Sequence, residues 1–135
     1  MSAQNGRNGT DDRFERGLAI RKEVVGEDHV ERSMAQVSDF SRPVQEYVTR
    51  CCWGEVWDRP GLDRRTRSLL NLVMLTALGR SHELAVHVRG ARTNGVTETE
   101  IQEALLQATA YCGAPAGLEA FRVADGVLAE TRERS

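Results

Sequence analysis

The segment from Leu69 to Leu78 constrains the fold more than any other part of this chain. Its apolar residues cover almost the whole circumference of a helix, and only Asn71 and Thr76 are polar. Such a helix has to be covered on every side, either in an oligomer interface or at the centre of a compact monomer. A chain of 135 residues buries a sizeable core but supplies only part of that cover, so we favour the oligomer.

The remaining sequence predicts an all-α protein of six to seven helices, because apolar residues recur at helical spacing and long alternating runs are absent. We expect residues 1–10 to form a disordered tail, residues 11–130 one helical domain, and residues 131–135 a frayed end. The predicted helices span about 11–25, 27–36, a stretch after Ser38 or Asp39, 63–78, 81–93, 97–112 and a stretch after Pro115.

Local capping signals set most of these helix ends. Asp63 is expected to cap the helix that ends at Gly79, and Thr97 with Glu100 resembles a capping box. The side chains expected on buried stripes are Val30, Met34, Phe40, Val44, Tyr47, Val48, Cys51, Ile101, Leu105, Ala108, Cys112, Leu118, Phe121, Ala124 and Leu128.

The charge balance excludes several classes of partner. The formal net charge is −2, which gives no sign of binding to nucleic acid or to an anionic membrane. The first ten residues lack the apolar core of a signal peptide, and no apolar run is long enough to span a bilayer. The three cysteines have no metal-ligand spacing, so we expect reduced thiols, a cytoplasmic protein and no metal site.

Glu83 and His87 are the leading candidates for catalysis. They lie four residues apart and therefore share a helix face. A carboxylate beside an imidazole can exchange a proton near neutral pH, although an exposed pair of this kind also occurs merely as a support for the helix. His82 and His87 are five residues apart, which is the wrong spacing for the zinc motif HExxH.

Arginines surround the apolar helix, with three in its first turn and Arg80 just after its end. Cations in a first turn oppose the helix dipole, which suggests an anionic ligand or carboxylates of another subunit, with ordinary solvation as the alternative. Trp53 and Trp57 are candidates for a ligand platform, although helical spacing of this kind is also typical of a core. The first-turn arginines are Arg64, Arg65 and Arg67.

Ordered sequence blocks resemble the carboxymuconolactone decarboxylase family over about residues 12 to 130. The first blocks are Trp53-Gly54-Glu55-Val56-Trp57, Arg59-Pro60-Gly61-Leu62-Asp63-Arg64-Arg65-Thr66-Arg67-Ser68-Leu69 and Ala77-Leu78-Gly79-Arg80. They are followed by Glu83-Leu84, His87-Val88-Arg89, Asn94-Gly95-Val96-Thr97, Leu105-Leu106-Gln107 and Tyr111-Cys112-Gly113-Ala114-Pro115. Blocks in this order and at matching spacing are far more specific than any one motif.

The resemblance implies an AhpD-like orthogonal helical bundle that assembles as a homo-oligomer, a trimer or a hexamer. It also implies a cofactor-free carboxy-lyase of protocatechuate catabolism, which converts the lactone dicarboxylate γ-carboxymuconolactone into β-ketoadipate enol-lactone and CO2. The related thiol peroxidases carry two cysteines that align here with Arg80 and Glu83, so thiol redox chemistry is excluded.

On this reading, His87 and Glu83 are the catalytic pair, and the substrate is bound by Arg80, Arg64, Arg65, Arg67, Trp53 and Trp57. Two other functions stay open. One is a decarboxylase or isomerase of another small lactone or keto acid on the same fold. The other is a non-catalytic oligomer that binds a metabolite.

Overall fold

The computed structural model describes residues 2–134, with side chains over residues 12–133, and this part of the chain consists of helices joined by turns, with no strand. The all-α prediction is therefore confirmed. No helix in the described range is long and apolar enough to cross a membrane. The elements are α1 (Ser2–Val25), α2 (Glu27–Ala35), α3 (Arg42–Tyr47), a π-helix (Val48–Val56), α4 (Arg64–Leu78), α5 (Ser81–Thr93), α6 (Glu98–Cys112) and α7 (Ala114–Arg134).

The helices form two units, which divide between Leu62 and Asp63. The first helix ends at Val25, before Gly26, as expected. It begins at Ser2, earlier than the predicted start near residue 11. Because the side chains of residues 1–11 lie outside the described part, the disordered tail over residues 1–10 stays a prediction, as do the limits of the domain.

In the N-terminal unit, α1 lies against the π-helix through two glycines. A Cβ atom on Gly17 would overlap the carbonyl oxygen of Thr49, and one on Gly54 would overlap the carbonyl oxygen of Arg13. Only glycine allows two backbones to approach this closely. The crossing therefore fixes how α1 docks within this unit.

The stripe expected on the third helix is wrong in part. Phe40 is 96% exposed, and Val44 and Tyr47 are also exposed. Phe40 lies in the turn before α3, and α3 itself has only six residues before the backbone changes to a π-helix. Beyond α3 the Trp57 N–H donates to the carbonyl of Cys52, five residues back, so the α-helical period does not continue past Tyr47.

The helix ends predicted for the C-terminal unit are confirmed. The Asp63 Oδ1 atom accepts a hydrogen bond of 2.7 Å from the Thr66 N–H, which caps α4 and lowers the pKa of Asp63. At the other end, Gly79 has φ 70°, the left-handed conformation that favours glycine. Thr97 and Glu100 form both hydrogen bonds of a capping box at the start of α6.

Helices α4 to α7 enclose one apolar core in the C-terminal unit. Its buried residues are Leu72, Leu84, Val88, Ala91, Val96, Ile101, Leu105, Ala120, Ala124, Val127 and Leu128. Cys112 and Leu118 are exposed, contrary to expectation. α7 contacts α6 closely through Gly117, where a Cβ would overlap the Thr109 side chain, whereas the neighbouring Leu118 lines the open groove between the two helices.

Within the described C-terminal unit, helix α4 buries one side and exposes another. Leu72 is fully buried, and buried Thr76 donates its hydroxyl to the Leu72 carbonyl at 2.7 Å. Leu70, Met74 and Leu78 are 46%, 51% and 67% exposed. Their four-residue spacing places them in a single row, which we call the α4 stripe.

Candidate functional site

Helix α5 holds both predicted catalytic residues in the C-terminal unit. Its buried side carries Leu84, Val88 and Ala91, which pack into the core. Next to that side, His87 is half-buried, whereas Glu83, one turn earlier, is exposed. The imidazole is therefore held between core and solvent, and the carboxylate stays hydrated.

Asn71 of α4 is a hydrogen-bond partner of His87. Its Nδ2 atom lies 3.4 Å from His87 Nδ1, in a half-buried position. Because the amide Nδ2 is a donor, Nδ1 acts as the acceptor in this contact. In the neutral imidazole with Nδ1 as acceptor the proton lies on Nε2, so the contact with Asn71 favours this tautomer.

Asn71 was not among the predicted site residues. The only signal in the sequence was its position as one of two polar residues in the apolar run of α4. The other, Thr76, bonds to the backbone of its own helix. An amide in an apolar helix with no local partner indicates a contact to another helix, and that contact proves to be the catalytic candidate.

Polar contacts to neighbouring helices hold both ends of α5, the helix that carries His87. The Asn94 Nδ2 atom, at the end of α5, donates to Oγ of fully buried Ser68 of α4 at 2.9 Å. At the start of α5, Ser81 Oγ donates to Glu119 Oε1 of α7 at 3.0 Å. Both ends of α5 are thereby attached to neighbouring helices, which fixes the position of His87 between them.

The predicted arginine clamp is brought together only in part. Arg65 forms an ion pair with Glu100 of α6, so this first-turn cation has an acidic partner within its own unit. Arg64 and Arg67 are half-buried, and each makes further contacts. Arg80 is exposed at the start of α5, where its N–H donates to the Leu75 carbonyl. A role for these four side chains in binding substrate stays a prediction.

Trp53 and Trp57 lie on the π-helix and its last turn, in the N-terminal unit. Their ring centroids are 4.9 Å apart with an interplanar angle of 26°, and the two residues are 6% and 8% exposed. Stacked, buried indoles are typical of a core, which is the alternative that the spacing had left open. Their role as a ligand platform stays a prediction.

A groove of about 480 Å³ lies between α6 and α7 and contains none of the predicted site residues. Its floor is apolar, with Ile101, Leu105 and Phe121, and its rim includes the ion pair of Arg132 with Glu98. The hydrogen bond from Arg132 lowers the pKa of Glu98. Neither His87 nor Glu83 lines this groove.

The described residues include no group of three or more His, Cys, Asp and Glu side chains that could hold a metal ion. Cys51, Cys52 and Cys112 are free thiols. Burial raises the pKa of Cys52, and Cys51 adds to this effect. Cys52 is therefore kept in the protonated form rather than activated as a nucleophile.

Comparison with known proteins shows that the chain is similar to decarboxylases. The model of the carboxymuconolactone decarboxylase family matches residues 42–126. A protein of Acinetobacter baylyi named 4-carboxymuconolactone decarboxylase is 46% identical over 116 residues, which are 86% of this chain and 87% of the relative. The nitrosuccinic acid decarboxylase of Metarhizium robertsii is 48% identical over 110 residues, which are 82% and 77% of the two chains.

Proposed function

Because this chain belongs to the carboxymuconolactone decarboxylase family, we propose that it removes CO2 from 4-carboxymuconolactone to form β-ketoadipate enol-lactone. The observation that carries the proposal is the 46% identity to a 4-carboxymuconolactone decarboxylase over most of both chains. The half-buried His87, oriented by Asn71, supplies a suitable proton donor.

The reaction needs a place for an electron pair and then a proton. The bond between the ring carbon and the leaving carboxylate breaks, and its electron pair moves through the conjugated double bond onto the lactone carbonyl oxygen. A proton added to the α-carbon completes the enol-lactone. Because the substrate itself accepts the electron pair, the proposed reaction uses no cofactor. The enzyme's task is to stabilise the developing negative charge and deliver the proton.

His87 is the proposed group for both tasks. With Nδ1 accepting from Asn71, the neutral imidazole donates a hydrogen bond from Nε2–H to the developing oxyanion. The imidazolium formed by uptake of a proton from solvent then protonates the α-carbon and returns to the neutral form. Glu83, one turn away on the same helix, is the proposed acid/base partner. Its negative charge favours return of a proton to the imidazole after each turnover.

The arginines are proposed to bind the carboxylates of the substrate. Arg80 is exposed next to the helix that carries His87, and a guanidinium binds a carboxylate through two parallel hydrogen bonds. Arg64 and Arg67 are proposed to assist from the first turn of α4. Arg65 is proposed for this role as well, with a substrate carboxylate taking the place of its present partner Glu100.

A second candidate substrate is a nitro-substituted dicarboxylate. It is favoured by the 48% identity to a decarboxylase named for nitrosuccinic acid. In both acids, an electron-withdrawing group accepts the electron pair that CO2 leaves behind, a lactone in one and a nitro group in the other. One active site can therefore perform the same step on either compound, and the pocket decides between them.

We further propose that the protein works as a homo-oligomer, a trimer or a hexamer with an AhpD-like bundle in each subunit. The α4 stripe supports this proposal, because Leu70, Met74 and Leu78 are exposed in the single chain. Covering apolar side chains is the main driving force of association. The free thiols agree with a reducing cytoplasm as the place of action.

The deciding experiment is a coupled assay. γ-Carboxymuconolactone is generated from protocatechuate by the two upstream enzymes, this protein is added, and CO2 and enol-lactone are measured. Turnover that is lost in His87→Ala, with the fold and oligomer unchanged, supports the function and the residue. If the substrate is not consumed while nitrosuccinate is, the second candidate is correct. Full activity of His87→Ala would overturn its role.

A further inference from the structure

Arg21 has an unusual environment in the N-terminal unit. It lies on α1, and its Nη1 atom donates to Gln45 Oε1 at 3.0 Å and to Thr49 Oγ1 at 3.3 Å. Thr49 is fully buried, and its hydroxyl donates in turn to the Gln45 carbonyl at 2.7 Å. The half-buried guanidinium is thus held in place by neutral acceptors.

Four other arginines of this unit show what is missing around Arg21. Within the same unit, Arg13, Arg16, Arg42 and Arg50 each form an ion pair with an Asp or Glu side chain. Among the side chains of residues 12–133, no carboxylate pairs with Arg21. Burial lowers the pKa of Arg21 with no opposing effect from an acid. A partly desolvated cation without a counter-charge is costly.

Arg21 lacks a counter-charge because the residue that accepts its hydrogen bond, Gln45, is neutral. Gln45 carries an amide where a carboxylate of the same shape would neutralise the cation. The next residue, Glu46, is acidic, but it faces Arg50 one turn further along. The chain therefore positions a planar donor group and leaves its charge uncompensated within the described residues.

We propose that Arg21 binds a carboxylate group that the side chains of the N-terminal unit do not supply. Its fixed planar fork matches a carboxylate through two parallel hydrogen bonds. The carboxylate comes either from a small dicarboxylic acid or from an Asp or Glu of a second copy of the chain. The proposal is independent of the decarboxylation, because its test measures binding without turnover.

The first test uses the wild-type protein and the arginine reagent phenylglyoxal, with the modified residues identified by mass spectrometry. If the site takes a small acid, saturating succinate slows modification of Arg21 and leaves Arg50 unchanged. Arg50 is a matched internal control, because its side chain is 33% exposed and already paired with Glu46. If a second copy supplies the carboxylate, raising the protein concentration slows modification of Arg21 and succinate has no effect.

The second test is Gln45→Glu, which keeps the guanidinium and supplies an internal counter-charge. We expect it to weaken succinate binding, measured by calorimetry, about 10- to 100-fold, as for loss of a hydrogen bond to a charged group. In the second-copy case, it instead lowers the oligomer mass in light scattering. Arg21→Lys keeps the positive charge but loses the planar guanidinium. Its affinity for succinate should therefore lie between those of the wild type and Gln45→Glu.

The proposal is overturned if neither succinate nor protein concentration changes the modification rate of Arg21. It is also overturned if Gln45→Glu alters neither succinate binding nor oligomer mass. In either case Arg21 serves only to join α1 to Gln45 and Thr49. Absence of decarboxylase activity would not affect these readouts, so the two proposals fail separately.

Discussion

Replacing Asn71 tests whether the amide sets the protonation of His87. Asn71→Leu removes the donor 3.4 Å from Nδ1 and keeps the volume of the side chain. A neutral hydrogen bond contributes about 0.5–1.5 kcal/mol, and the long distance indicates the lower half of that range. If the contact acts fully in the transition state, kcat/KM falls about 2- to 5-fold. Removing a general acid outright in His87→Ala costs about 10²- to 10⁴-fold.

Asn71→Asp gives the sharper test. A carboxylate at this position accepts a hydrogen bond from Nδ1–H and favours the imidazolium, which raises the pKa of His87 in the variant. If the neutral imidazole with its proton on Nε2 is the active form, the acid limb of the pH profile of kcat/KM moves to higher pH. The profile is measured with the coupled assay over pH 5 to 9, which spans the ordinary range of histidine.

Asn94→Ala is the matched control for these variants. It removes an amide from the same unit and leaves buried Ser68 without this donor. It should lower stability by about 1–3 kcal/mol without moving the pH profile. The reasoning is refuted if Asn71→Leu retains full kcat/KM, or if the acid limb in Asn71→Asp stays fixed or moves to lower pH.

Three further predictions concern stability. Leu72→Ala removes a fully buried side chain and should cost about 2–5 kcal/mol in urea unfolding; a smaller loss would mean that the core does not depend on α4. Thr97→Ala removes the cap of α6 and should cost about 0.5–2 kcal/mol by the same assay, whereas exposed Thr99→Ala should have little effect. The pKa of Glu98 is lowered by Arg132, so its contribution is present above the unfolded pKa and is lost as the pH falls through the folded pKa. Arg132→Gln should therefore flatten the acid side of the stability profile, and an unchanged profile would contradict this assignment.

The sequence predicted the helix ends best, because the signals that set them are local. Asp63 with Thr66, and Thr97 with Glu100, lie three residues apart and form the same contacts in any fold. The prediction of a buried stripe from Phe40 was wrong because Phe40 lies in a turn before α3, and none of the six residues of α3 is buried. The prediction that Leu118 is buried was wrong because the neighbouring Gly117, rather than the leucine, makes the close contact between α6 and α7.

The candidate site was predictable only in part, for a similar reason. The spacing of Glu83 and His87 is visible in the sequence, but the contact of His87 with Asn71 joins residues 16 positions apart on two helices. Likewise, the ion pair of Arg65 with Glu100 depends on how α4 packs against α6. Periodicity shows which residues share a face, whereas the partner of that face follows from tertiary packing.

The glycine crossing has a consequence for mutational screens. Sliding α1 by one residue in either direction would bring Arg16 or Leu18 against the Thr49 carbonyl, so the two backbones fit together in one alignment. In a selection for activity, substitutions at Gly17 and Gly54 should disappear as completely as those at a catalytic residue. Depletion of these variants would then report a lost backbone contact. Only a parallel measurement of protein abundance would distinguish the two glycines from residues that perform the chemistry.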